Sequence, residues 1–470
     1  MSEEKDHFYR DSEFLELVRR YEEMISNSTR YYFDVDEFED IIDHYINLGK
    51  LNHAHKATLH ALRQHPASTS IQLKKSLILN EKGQPLESLR TLRAIEKIEV
   101  NNPEVCFAKG IALSQLGKLK DAVRQFNRAV ELTDDGKADL LFNIGVNFEQ
   151  QNNFPEALGF LLQAYDMEPE NVSYIYDVAF CYERLYQADK ALDFYNRSLD
   201  IDPFSENVWY NIGVVYNRLE EYEKAIEAYD FAISLDNEFA SAYFNKANTL
   251  ANSGKFRQAI EVYMELLYLE DDNEQVVCYI GECHEKLEEW DEAMNYYGKA
   301  LEINQEYGDA WLGEGMVLFA MGKHYESLYN VEKAISYSPD NPQYWYALGN
   351  IWSKLDRRAD AINAYRKAVD LDSEDTESWI NLSEAYLANK EKAKAIEILE
   401  DAVRSNPGSA VINYRLAAYC LITNDSERAY EYLRIALGLD FDMHREFFAY
   451  YPRAAKIKAV LNLIEQYRGK

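Results

Sequence analysis

The sequence predicts an all-α chain built as a stack of helix pairs, and three observations predict it. In the stretch ENVWYNIGVVYNRLEEYEKAIEAYDFAISLDN, numbered from Glu206 as offset 1, Trp209, Ile212, Gly213 and Tyr216 fall at offsets 4, 7, 8 and 11. That is the i, i+3, i+4, i+7 stripe of a helix, and Ala225, Tyr229 and Ala232 at offsets 20, 24 and 27 make a second stripe. The same spacing recurs every 34 residues along most of the chain. Pro66, Pro169, Pro203, Pro339 and Pro407 all fall at offset 32, where a proline stops the second helix. Small residues at offsets 8 and 20 let two backbones approach to the lower end of helix separations, about 8 Å. One such pair cannot cover both of its apolar edges, so neighbouring pairs must stack.

Residues 12 to 26 place Phe14, Leu15, Leu17, Val18, Tyr21, Met24 and Ile25 on one helical face, an expected cap over the first repeat within an N-terminal segment 1–34. Tyr31, Tyr32 and Phe33 read as packing at the next helix entrance, or as an aromatic docking patch. Twelve units over 35–443 follow, starting at 35, 69, 103, 138, 172, 206, 240, 274, 308, 342, 376 and 410. The loop Asp134 to Lys137 absorbs a one-residue shift between the third and fourth. Residues 444–470 are expected to close the stack with helices, one of them putting Ile457, Val460, Leu461 and Ile464 on a single face.

At 470 residues, 47% hydrophobic and 28% charged, the chain has the composition of a folded protein. Its net charge of −31 leaves little to neutralise a run of phosphates, so nucleic acid is not an expected partner. The N-terminus lacks the apolar core of a secretory signal, and no apolar run is long enough for a membrane span. Cys106, Cys181, Cys278, Cys283 and Cys420 are scattered and odd in number, which suits reduced thiols in a cytoplasmic protein. Five of nine histidines, His44, His53, His55, His60 and His65, fall in the first unit. None pairs at the spacing of a helical zinc site, and no metal or other cofactor is expected. Gly-rich phosphate loops, HExxH and nucleophile elbows are also missing, so the chain does not read as an enzyme.

The offsets 4, 7, 8, 11, 20, 24 and 27 resemble the signature of tetratricopeptide (TPR) repeats. The resemblance implies a right-handed superhelical α-solenoid whose first helices line an inner surface, with offsets 2, 5, 6, 9, 12 and 13 pointing inward. Offset 6 is then a column of Asn143, Asp177, Asn211 and Asn245, with Tyr176, Tyr210 and Phe244 beside it and Arg184 and Arg218 at offset 13. Stacked amides offer donors and acceptors to the backbone of an extended peptide. The column is similar to the asparagine ladder of O-linked N-acetylglucosamine transferases, whose catalytic domain has no counterpart here. A second TPR subclass grips terminal carboxylates of chaperone tails. Asn350, Asn381 and Arg415 match its pattern, while Tyr346 and Val411 replace its two lysines.

The expected function is therefore a scaffold that binds an extended segment of another protein along Asn143 to Asn245. The alternative is a regulatory subunit or assembly or co-chaperone factor whose acidic outer surface docks a basic partner. Oligomeric state is not encoded in any of these patterns.

Overall fold

The twelve helix pairs form in order, each filling one helix crossing between offsets 8 and 24. The structure is a computed structural model that describes residues 2–27 and 31–468, with side chains from Phe14 onward. Two compact units divide the chain, Met1–Leu235 and Asp236–Lys470. In the first, α1 (Ser2–Asn27) precedes the pairs α2 (Val35–Asn47) with α3 (Leu51–Gln64), α4 (Thr69–Glu81) with α5 (Pro85–Ile95), and α6 (Pro103–Gln115) with α7 (Leu119–Leu132). It continues with α8 (Lys137–Glu149) and α9 (Phe154–Met167), α10 (Val172–Arg184) and α11 (Ala188–Ile201), and α12 (Glu206–Arg218) and α13 (Tyr222–Leu235).

The second unit pairs α14 (Ala240–Asn252) with α15 (Phe256–Leu269), α16 (Glu274–Lys286) with α17 (Trp290–Ile303), and α18 (Gly308–Ala320) with α19 (His324–Tyr337). Then come α20 (Pro342–Lys354) with α21 (Arg358–Leu371), α22 (Thr376–Ala388) with α23 (Lys392–Ser405), and α24 (Ala410–Ile422) with α25 (Ser426–Leu439). It closes with α26 (His444–Tyr450), a 3-10 turn at Pro452–Lys456, and α27 (Lys458–Tyr467). No strand occurs among the described residues.

Each pair is locked where offset 8 meets offset 24. A Cβ added to Gly213 would lie 2.5 Å from the Tyr229 ring, and one on Gly349 would lie 2.5 Å from Tyr365. Gly110 against Phe126, Gly145 against Leu161 and Gly281 against Tyr297 repeat the arrangement. A small residue on the first helix thus admits a large one from the second, and the ring fills the space that close packing demands.

The turn inside each pair has its own device. The residue at offset 15 is left-handed in all twelve, with φ between +56° and +79°: Gly49, Gly83, Gly117, Asn152, Tyr186 and Glu220, then Gly254, Glu288, Gly322, Asp356, Lys390 and Asn424. That conformation turns the next N–H back onto the helix end, as in Glu221 N to Tyr216 O at 3.0 Å. Non-glycine residues adopt it at about 1 kcal/mol each. Between pairs, the indole at offset 4 donates to the carbonyl at offset 32 of the preceding unit: Trp209 to Pro203 (3.1 Å), Trp311 to Gln305 (2.9 Å), Trp345 to Pro339 (2.8 Å) and Trp379 to Ser373 (2.9 Å).

The ends differ from the expectation in detail. On α1 only Leu17, Val18 and Tyr21 are buried, whereas Leu15 and Ile25 are exposed, because the seven apolar residues span a wider arc than one neighbour can cover. Tyr32 is exposed while Phe33 is fully buried. On α27 the buried residues are Val460, Leu463 and Ile464; Leu461 points to solvent.

Candidate functional site

In the first unit the offset-6 side chains do not form a uniform row. Asn143 on α8 is exposed and Asp177 on α10 is half-buried. Asn211 on α12 is only 8% exposed, and its Nδ2 donates to the Tyr176 hydroxyl at 2.8 Å. Asn211 is therefore a joint between successive repeats. Tyr210 is half-buried and its ring lies 5.9 Å from that of Tyr229.

The two arginines are likewise engaged. Arg218 donates to the backbone oxygen of Glu183 at 2.8 Å and to its carboxylate at 3.1 Å, and it lies over the Tyr186 ring. Glu183 is buried and also accepts from the Tyr195 hydroxyl at 3.0 Å, so the guanidinium neutralises a carboxylate that burial would otherwise penalise. Arg184 is exposed and sits 5.3 Å over the Phe154 ring. Asp177 and Glu149 form an acidic spot. Burial pushes the Asp177 carboxyl up to about 6. Burial, reinforced by the charge of Asp177, pushes Glu149 up to about 7, although Glu149 accepts from the Cys181 thiol at 3.0 Å. In the second unit Asn245 and Phe244 on α14 are half-buried, the Phe244 ring 5.8 Å from that of Tyr279.

The second unit also contains a cavity of about 830 Å³ among α18, α20, α22, α24 and α26. Asn350, Asn381 and Arg415, which are far apart in sequence, meet there with Lys354, Glu384 and Tyr450. Two tyrosines fix how the amides face. Tyr365 donates to Asn350 Oδ1 at 2.7 Å, and the Asn350 side chain also hydrogen-bonds to Tyr346. Asn381 Nδ2 donates to Tyr346 at 2.8 Å, which leaves the Asn381 oxygen as an acceptor. Tyr346, standing where the resemblance would place a lysine, in turn donates to Glu377 at 3.2 Å. Arg415 is 7% exposed, bonded to Glu384 and stacked 3.4 Å from the Tyr450 ring centre, with its Nε buried and lacking a hydrogen-bond partner. The cavity therefore brings together two fixed amides, Lys354, and an Arg415 already paired with Glu384.

The phenol–amide joint recurs: Tyr176 with Asn211, and Tyr346 with Asn381, each 35 residues apart. That spacing was readable in the sequence as offset 5 of one unit followed by offset 6 of the next. The roles of Lys354, Glu384 and Tyr450 carried no comparable signal.

The description of tetratricopeptide repeats matches residues 107–172 and 206–239, and that of the cilia and flagella-associated protein 70 C-terminal domain, itself a TPR array, matches residues 239–447. The chain belongs to the TPR family. No curated protein matches it in sequence. Among solved structures, this TPR protein is similar to yeast Tom70, at 16% identity over 92% of this chain and 96% of that one, TM-score 0.49. It is also similar to the APC/C hetero-tetramer Cut9–Hcn1, at 14% identity over 89% and 95%, TM-score 0.40. A third is YrrB, described as a TPR protein with an unusual peptide-binding site, at 22% identity over 42% and 97%, TM-score 0.31. As a TPR protein, the chain is a protein-interaction scaffold in the general sense. No helix among its described residues is long and apolar enough to cross a membrane.

Proposed function

We propose that this TPR protein is a non-catalytic scaffold that takes an extended segment of another protein along the first-helix face of its repeats. The observation that carries the reading is one cavity in which Asn350, Asn381, Lys354 and Arg415 converge, the two amides held in place by Tyr365 and Tyr346. An extended backbone exposes unpaired C=O and N–H groups, and amides already oriented by the fold accept them with little further ordering. Each such bond contributes about 0.5 to 1.5 kcal/mol, so several are needed for useful affinity. In the first unit Asn143 and Asp177 beside Tyr210, and in the second Asn245 beside Phe244, offer related side chains on other first helices. The proposal includes a cytoplasmic setting, a reading supported by five buried cysteines without disulfides.

The test is to select binders from an extended-peptide library on the full chain, then measure their Kd against Asn350→Ala with Asn381→Ala. A loss of about tenfold or more, with melting shifted by only a few degrees, is expected. Selected peptides whose Kd is unmoved would remove the groove from the proposal.

A second reading rests on a cavity of about 640 Å³ lined by Glu270, Asp271, Asp272, Glu274, Tyr307 and Asp309. It suits a basic partner on an acidic surface. Binding led by these carboxylates fades steeply with added salt, whereas amide-led binding does not.

A further inference from the structure

The crowding of histidines in the first pair has a structural use that is separate from peptide binding. Four of the five serve the seat of α1 and the strand-like entry that follows it. Tyr21 of α1 is 1% exposed and lies among the rings of Phe33, Phe38, Tyr45 and His60, 5.9 to 6.3 Å away. Its hydroxyl is 2.9 Å from His60 Nδ1. His65 Nε2 is 2.8 Å from the Phe33 carbonyl oxygen, His44 meets Phe14 edge-on, and His53 stacks on Tyr45. Gln64 completes the seat by bonding to Tyr31 O and Phe33 N.

One contact in this set depends on an uncharged imidazole. The phenol of Tyr21 is held protonated, because burial drives it well above the ordinary tyrosine range. It therefore donates, and His60 Nδ1 must accept. Burial, with Arg63 and Lys56 on the same helix, lowers the His60 pKa, so the neutral form is the one the fold selects. A proton on Nδ1 sets two donors against each other in an apolar ring cluster. Among the described residues, the other charged groups around the seat are engaged elsewhere. Glu22 of α1 accepts from Tyr45 of α2 at 3.4 Å, and Arg20 of α1 faces Glu37 of α2 at 3.5 Å and the Phe33 ring at 5.2 Å.

We propose that α1 is a pH-released cover, undocked when His60 is protonated, whose departure bares the apolar edge of the first pair at Phe38 and Tyr45. The sign follows from the lowered pKa. Docking is at full strength above the ordinary histidine range and weakens as pH falls below about 6.5. His55 also has a lowered pKa, from burial first and then from Lys82 and Lys75, yet it makes none of these contacts and so serves as the control.

Hydrogen exchange of residues 14–26 in the full chain, corrected for intrinsic rates, reads the cover directly. Opening should be about tenfold more frequent at about pH 5.5 than at about pH 7.5. His60→Gln retains an acceptor oxygen but takes up no proton, so its protection should be the same at both pH values. Tyr21→Phe should open more readily at both, and His55→Gln should respond as the unaltered chain does. Equal protection of the unaltered chain at the two pH values overturns the proposal, as does loss of the response in His55→Gln.

Discussion

The pair α2–α3 and the pair α12–α13 share one register and solve the same packing problem in opposite ways. In α12–α13 the first helix gives Gly213 and the second gives Tyr229. In α2–α3 the same offsets hold Ile42 and Thr58, both fully buried. Bulk has moved from the second helix to the first while the contact stays filled. What the repeat constrains is the sum of two side chains across one helix crossing, and neither residue alone. The flanks differ in kind as well. At offset 4, α12 carries Trp209, latched to Pro203, whereas α2 carries Phe38, sealed beneath Tyr21 and Phe33 of the N-terminal segment. At offset 6, α12 carries the buried Asn211 and α2 the exposed Asp40. Both pairs have polar joints to a neighbour, Asn211 with Tyr176 in one and Lys74 with Asp43 in the other, but the terminal pair adds a cover of rings from the N-terminal segment.

Transplanting one solution into the other is the most severe way to break the comparison. Gly213→Ile puts a branched side chain where even a Cβ lies 2.5 Å from the Tyr229 ring, and a loss of about 3 kcal/mol or more is expected. Adding Tyr229→Thr reproduces the α2–α3 combination and should recover a large part of that loss. Urea unfolding of the double and single variants measures the coupling, and additive losses would show that the two sites do not trade volume. A smaller effect is expected at offset 6. Asn211→Ala removes the joint to Tyr176 and should cost about 1 kcal/mol, while Asp40→Ala at the same offset of the terminal pair should change stability by less than about 0.5 kcal/mol. Equal effects would mean that burial of Asn211 carries no energetic weight.

The helix pairs were legible because period and phase are properties of sequence: the apolar stripes, the offset-8 glycines and the offset-32 prolines are all local. The turn at offset 15 was not, since Gly49, Asn152, Tyr186, Glu220 and Lys390 share a conformation without sharing a chemistry. The offset-6 residues do fall on first helices, but the sequence does not show which of them are engaged by neighbouring side chains. Side chains 35 residues apart had to be brought together before Tyr176 could be seen to hold Asn211. Asn350, Asn381 and Arg415 were grouped by the family pattern, but Tyr450 was out of reach, because it enters their cavity from α26, beyond the last repeat. The histidines, dismissed as metal ligands on spacing alone, took on a role only once Tyr21 of α1 was set against them.

The mildest test concerns the latch. Trp209→Phe gives the interior pair the residue that α2 has at offset 4, keeping an aromatic body but deleting the indole N–H that reaches Pro203. Trp209 also stacks on Phe231, ring centres 4.5 Å apart, and a phenyl group retains much of that contact. The expected loss is therefore that of one net hydrogen bond, about 0.5 to 1.5 kcal/mol, confined to the junction of α11 and α12. Hydrogen exchange in residues 202–208 should rise severalfold while α2 and α3 keep their protection, because a repeat array transmits a local loss only to its neighbours. Unchanged exchange at that junction would show that the indole bond is incidental, and that stacking on Phe231 alone sets the turn.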